Sequence, residues 1–415
     1  MKASIGWLAV ALACGCSAAT DPGSAGGFGG SGGSATASIA GAGGADAGGV
    51  AGSLAGAGGG AGGLGGVGTG AGGSTAGLGG NAGNASAGTG GSAGKGGAGG
   101  AGSGGVAGSG DVAATRLKIL EYLKSISGVK TISGQHNKEP NSDPAHWTSY
   151  VANLTGTMPG LWSGDFLFRK PDVDARGTMI AEAQKQFQAG ALINLMWHAC
   201  APTVGVSCEW DEGVAIGLSQ PQWNDLVTEG GTLNGVWKQR MDLVAAHLQK
   251  LQDAGVVVMF RPFHEQNQSQ FWWAGRSDAN GSKRLYRLTH DYFTKTKGLQ
   301  NIIWIWDTQD LSGYQQAIPA YSPGFEYFDI AALDVYEGFN QQKYQTMVDF
   351  AAGQKLIAIG ECAQLPSAAD LATASKFVFF MDWAELVQTK NSEAQVKTLY
   401  AADRVLTRDE LPGWK

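Results

Sequence analysis

VVVMFRPFHEQNQSQFWWAG, residues 256–275, changes character twice along its length. Val256 to Arg261 read as a short strand buried on both faces, apolar and rich in β-branched side chains as far as Phe260. Arg261, Pro262, His264 and Glu265 follow directly, and then the rings Phe271, Trp272 and Trp273. A strand buried on both faces belongs to a parallel sheet covered by helices, and in such folds functional groups gather beyond the strands' C-terminal ends. The simplest role for the charges is an ion pair between Arg261 and Glu265 above packed tryptophans.

Working outward, seven further short β-rich runs can be read: 129–133, 157–164, 191–197, 301–306, 328–333, 355–360 and 377–381. Amphipathic segments lie between them, at 175–188, 236–252, 282–296 and 341–352, with shorter ones at 312–318 and 367–374. In the second of these, Val236, Met241, Val244, Ala245 and Leu248 form one apolar stripe at helical spacing. Strand and helix alternating in this way predict an α/β fold, a single (β/α)8 barrel (TIM barrel). A doubly wound open sheet is the alternative, but no Gly-rich phosphate loop follows the first strand.

The predicted strand ends carry Gln135 and His136, Asp165, His198, His264 and Glu265, Asp307, Asp334 and Tyr336, Glu361, and Trp383. In a closed barrel all of these open on one face. Glu361, in KLIAIGECAQLP (355–366), follows its apolar run as directly as Glu265 follows its own. Two carboxyl groups facing each other across a barrel mouth can divide proton transfer and nucleophilic attack between them. Rings beside them suit the flat C–H faces of sugars. His247 and His290 fall on predicted helices and read as core or surface histidines, and Met241, Met259 and Met347 as packing.

Before residue 111 the composition is different. Met1 to Ser17 hold one Lys, an apolar run from Ile5 to Ala13, and Cys14 and Cys16 among small residues. The run is too short to span a bilayer and reads as a signal peptide, with ALACGCS resembling a lipoprotein cleavage site and Cys16 the preferred acylated residue. Residues 18–110 are nearly all Gly, Ala, Ser and Thr, which cannot bury enough apolar surface to offset ordering and are expected to form a disordered linker spanning about 50 Å. Residues 111–415 then form the folded domain. The expected product is secreted or held at the cell surface by a lipid anchor, and acts as a monomer. A formal net charge of −6 without a Lys/Arg cluster argues against nucleic acid as a partner. Of the remaining cysteines, Cys200 and Cys208 are close enough to close a loop disulfide in an exported protein, which leaves Cys362 as a buried free thiol. A zinc site lacks paired CxxC or HxxxH ligands.

FRPFHE with FWWAG, DVYEG (334–338), IGECAQLP, ISGQH (132–136), LMWHACAP (195–202) and the tail RVLTRDELP (404–412) together resemble glycoside hydrolase family 26, mostly endo-β-1,4-mannanases. The resemblance covers the chain from about residue 111 onward. It implies a retaining hydrolase of mannan, glucomannan or galactomannan that needs neither metal nor cofactor, with Glu265 as acid/base and Glu361 as nucleophile. It further implies that Arg261 and Tyr336 orient Glu361, and that His264 stands beside the acid/base. By the same resemblance His198, Trp273 and Trp383 line the subsites, and Asp165, Asp307 and Asp334 contact sugar hydroxyls or serve as strand-end partners. A β-1,3-xylanase, a mixed-linkage β-glucanase and a non-catalytic glycan-binding lipoprotein are the alternatives. Where the family commonly reads HEMNGxWFWWG, this chain reads HEQNQSQFWWAG, so Gln266, Gln268 and Gln270 replace Met, Gly and a ring.

Overall fold

The structure, a computed structural model, describes residues 109–336 and 338–414. The expected leader lies outside the described residues, as does the linker apart from Ser109 and Gly110, which open a helix running to Ile126.

Ten parallel strands form the sheet: β1 (Thr131–Ile132), β2 (Gly134–His136), β3 (Leu161–Asp165), β4 (Leu192–Met196), β5 (Val258–Arg261), β6 (Ile302–Gln309), β7 (Ile330–Val335), β8 (Leu356–Cys362), β9 (Phe377–Asp382) and β10 (Val405–Leu406). From β2 to β9 each strand pairs with the next, and β9 pairs back onto β1 and β2, closing the barrel. The predicted (β/α)8 barrel is therefore the fold. Its first strand comes in two pieces because the chain changes partner at Ser133. The Ser133 N–H donates to the Leu406 carbonyl of β10, while its own carbonyl accepts from Leu161 of β3. The two-residue β10 is an addition that 405–406 is too short to reveal by pattern.

Helices cover the barrel where periodicity placed them, at Arg176–Gln188, Thr232–Asp253, Ser282–Asp291 and Gln341–Ala351. In the second, Met241, Val244, Ala245 and Leu248 are buried as expected. Trp237 rather than Val236 heads the stripe, stacked on Trp197 with ring centroids 4.8 Å apart. The helix begins earlier than predicted, with Asn234 donating to the Leu226 carbonyl at its start. Met241, Met259 and Met347 are core packing.

Several strands run past their predicted ends, and three of the extensions carry charges. β6 continues to Gln309, β7 to Val335 and β8 to Cys362, which brings Asp307, Asp334 and Glu361 into the sheet itself. An apolar-run reading stops at a charge, whereas these charges are inside the barrel and have a buried partner there.

Candidate active site

Arg261, the last residue of β5, is that partner. Its guanidinium is 1 % exposed and donates to three carboxylates from three neighbouring strands. Nη1 donates to Asp307 and to both oxygens of Asp334 at 2.9 and 3.0 Å, while Nη2 donates to Glu361 Oε1 at 2.5 Å and faces Met196 Sδ. The ion pair expected between Arg261 and Glu265 is not formed. Arg261 points into the barrel instead, where Asp307 and Asp334 are both fully buried. These two aspartates are accordingly partners of Arg261, and neither reaches a surface where a sugar hydroxyl could meet it.

Glu361 is fixed at both oxygens, since Oε2 accepts the Tyr336 hydroxyl. Its direction comes from a bulge: Leu333 pairs with Ile359 but Asp334 pairs with Glu361, so Gly360 is the extra residue in β8. A Cβ on Gly360 would lie 2.5 Å from Asp334 Oδ1 and 3.0 Å from Asp307 Oδ2. Because Arg261 holds both aspartates, neither can retreat. Gly360→Ala is therefore expected to destabilise the fold by about 1–3 kcal/mol and to lower kcat roughly tenfold or more by turning Glu361. Melting curves and kinetics at saturating substrate check this, and wild-type values for both would contradict it.

Glu265 stands just beyond β5 with φ +52°, a left-handed conformation rare for a side chain of this size. Its N–H donates to Asp307 Oδ1 at 2.6 Å, so the aspartate that binds Arg261 also holds the turn. One oxygen each of Glu265, Asp334 and Glu361 lie within 4.8 Å of one another. Arg261 is bonded to two of these three carboxyl groups, Asp334 and Glu361.

One guanidinium cannot balance four carboxyl groups, so protons stay in the cluster. Burial pushes the Glu265 carboxyl well above the ordinary range, and the charges of Glu361 and Asp307 add to that, against the smaller opposing influence of Arg261 and of an amide bond from Gln268. Burial raises Glu361 as well, but less, because Arg261 and the Tyr336 hydroxyl both favour its anion. Burial pushes Asp334 well upward; Arg261 opposes it, and the charges of Asp307, Glu361 and Glu265 add to it.

Around the carboxyl pair stands a wall of rings. His198 is anchored by Asp165, which accepts its Nδ1–H and, at 3.1 Å, its backbone N–H. Burial alone would raise Asp165, but the charge and hydrogen bond of His198 hold it well below the carboxylate range. Asp165 is fully buried and its Oδ1 also accepts from Leu167, so it orients His198 and does not face a ligand, contrary to expectation. His198 packs against His264, Trp210, Phe271 and Trp383. Burial keeps His264 and His136 neutral, pushing His136 down to about 3. Trp383 is half-buried and stacks on His136 at 4.2 Å, leaving its other face open to be covered. Trp273, expected to line the subsites, has no exposed surface: Phe271 lies on it at 4.4 Å and its indole N–H donates to the His264 carbonyl. It supports the wall from behind.

Sequence reasoning missed Trp210, which follows the Cys200–Cys208 disulfide and is brought to His198 by the loop that disulfide closes. The pairing was expected; its proximity to the site had no signal, because the loop (201–209) lacks periodicity. Cys362 is the buried free thiol, its Sγ near the Met381 carbonyl.

The closed (β/α)8 barrel thus carries two neighbouring carboxyl groups, Glu265 and Glu361, beyond the ends of its strands, the arrangement of a barrel-type hydrolase site. The profile of Glycosyl hydrolase family 26 matches residues 110–410, and the chain belongs to that family. It is 29 % identical over 326 residues to a mannan endo-1,4-beta-mannosidase of Thermothelomyces thermophilus, covering 73 % of this chain and 62 % of that one. To mannan endo-1,4-beta-mannosidase B of Piromyces sp it is 24 % identical, covering 72 % and 52 %. The chain thus spans less than two thirds of the length of these curated relatives. Among solved structures, GH26A from Muricauda sp. MAR_2010_75 superposes with a TM-score of 0.68 at 34 % identity, over 71 % of this chain and 97 % of that one. A beta-mannanase from a symbiotic protist of the termite Reticulitermes speratus, complexed with gluco-manno-oligosaccharide, gives 0.64 at 25 % identity, over 72 % and 96 %.

Proposed function

We propose that the chain is a retaining endo-β-1,4-mannanase acting on mannan, glucomannan or galactomannan, with Glu265 as general acid/base and Glu361 as nucleophile. The observation that carries this is the carboxyl pair, with oxygens within 4.8 Å and unequal settings: burial raises both, but Arg261 and Tyr336 hold Glu361 the lower of the two. A gap of about 5 to 5.5 Å suits direct attack on the sugar, whereas about 6.5 to 9.5 Å leaves room for a water. Glu361, held by Arg261 and Tyr336, attacks the anomeric carbon while Glu265 gives its proton to the departing oxygen. Water then gives its proton to Glu265 as it displaces Glu361. His198 and the open face of Trp383 contact the sugar at the cleaved bond. The names of the mannan-active relatives support the substrate class.

Product analysis on mannan, glucomannan, β-1,3-xylan and mixed-linkage β-glucan tests the substrate, and no reducing ends from any mannan would remove it. Gln270, exposed where the family pattern has a ring, makes β-1,3-xylan and mixed-linkage glucan the informative controls. Glu265→Ala is expected to lose about 10²- to 10⁴-fold on polysaccharide while still forming the glycosyl-enzyme from dinitrophenyl mannosides, whose leaving group needs no proton. Equal damage on both substrates would contradict the role. The pH profile of kcat/KM should be bell-shaped. Activity rises as Glu361 ionises and falls as Glu265 loses its proton, with the alkaline limb above the ordinary carboxylate range because burial and Glu361 lift Glu265.

Export with a lipid anchor on Cys16 completes the reading. A loop disulfide inside the domain suits an oxidising compartment and supports it. Labelled palmitate should enter the full chain and not a Cys16→Ser variant; equal labelling, or none, would count against the anchor.

A further inference from the structure

Glu265 has one contact that neither the barrel nor the ion-pair cluster requires. Gln268 closes the turn that starts at Glu265, its N–H donating to the Glu265 carbonyl at 3.1 Å, and its side-chain amide donates to Glu265 Oε2. The turn is already secured by other bonds. Gly275 donates to the Gln266 carbonyl at 3.0 Å, and Asn267 exchanges two bonds with Gln309 at 2.7 and 2.8 Å. The amide of Gln268 is therefore spare as a structural element, and it stands at a position where the resembling pattern has glycine, which has no side chain to offer.

Resting on the reading of Glu265 as acid/base, we infer that Gln268 is a positioning residue: by occupying Oε2 it leaves Oε1 to carry the proton, and it favours the return of Glu265 to the anion. The chemistry asks for both. In the first step the proton on Oε1 passes to the glycosidic oxygen as the bond from that oxygen to the anomeric carbon breaks and the bond to Glu361 forms. In the second, water must give its proton back to Glu265 as the bond to Glu361 breaks, and an acid held too firmly in its protonated form cannot accept it. The groups facing Glu265 otherwise work mostly against ionisation. Glu361 of β8, Asp307 of β6 and Asp334 of β7 repel the anion, Tyr336 and neutral His264 bring no charge, and Arg261 of β5 favours it without bonding to it. The Gln268 amide is the neutral donor bonded to the carboxyl itself.

The test uses the whole enzyme with Gln268→Met, which keeps the length and removes the N–H, and Gln268→Gly, which restores the family's residue. Both should move the alkaline limb of kcat/KM to higher pH. Both should also slow hydrolysis of the glycosyl-enzyme, seen as a larger burst of dinitrophenol from an activated β-mannobioside. Gln268→Glu, which puts an anion in the same place, should move the limb furthest. If Gln268→Met and Gln268→Gly melt as folded proteins yet leave the limb and the burst unchanged, the inference is overturned. Glu265→Ala with added azide separates this from the underlying reading. Faster turnover with release of the β-mannosyl azide upholds Glu265 as acid/base and leaves Gln268 judged on its own variants, whereas no acceleration by azide sinks both roles together.

Discussion

Glu361→Ala is expected to lose at least about 10⁴-fold in kcat/KM on every substrate, activated aryl mannosides included. The reason is geometric. Arg261 and Tyr336 each address one oxygen of this carboxylate, and the bulge at Gly360 aims it, so no neighbouring group can take its place. Asp334, within 4.8 Å, is bonded through both oxygens to Arg261 and fully buried. The loss should be independent of leaving group, in contrast to Glu265→Ala, and azide should restore turnover only by giving the inverted α-azide. Steady-state kinetics over a series of leaving groups measures this. A Glu361→Ala enzyme that kept a tenth of its activity on dinitrophenyl mannoside would remove Glu361 from the reaction.

Arg261→Met should have the largest effect on stability, about 3–5 kcal/mol, because it removes the cation from three buried carboxylates and leaves them. The pH dependence has a definite sign. Burial already holds Asp334 and Glu361 above the ordinary carboxylate value with Arg261 opposing it; without Arg261 both rise further above the unfolded value near 4, so the folded variant binds protons that the unfolded chain releases. Its stability is fullest below that pH and is lost as pH rises. The difference in Tm between wild type and variant should therefore widen from pH 4 to pH 7, as melting curves across that range will read. A constant difference would mean that the guanidinium is not what neutralises the cluster. Activity should fall as well, since Glu361 would hold a proton it must lack in order to attack.

The sequence is legible where physics is local. Apolar runs of strand length separated by amphipathic helices announce the barrel, and the stripe through Met241, Val244 and Leu248 lies against the sheet as its spacing requires. Glu265 and Glu361 are legible because each directly follows such a run. What could not be read depends on contacts between distant residues. Nothing near Asp307 or Asp334 indicates that Arg261, 46 and 73 positions away, will neutralise them, so the sequence leaves their strands short and does not decide between a sugar contact and a strand-end partner. Asp165 and Trp273 were placed at the surface for the same reason. Their types suit a sugar site, but burial against His198 and Phe271 turns them into supports. Trp210 depends on a loop closed by a disulfide, and the amide of Gln268 on a turn in which Glu265 adopts a left-handed backbone.

Proton NMR of mannohexaose during the first minutes of cleavage addresses the close carboxyl pair most directly, because the anomeric form of the fresh reducing end records whether the sugar was attacked by the enzyme or by water. The account predicts the β signal first, with α growing in later by mutarotation. An α signal at the outset would mean a single displacement by water, and the roles given to Glu265 and Glu361 would be wrong.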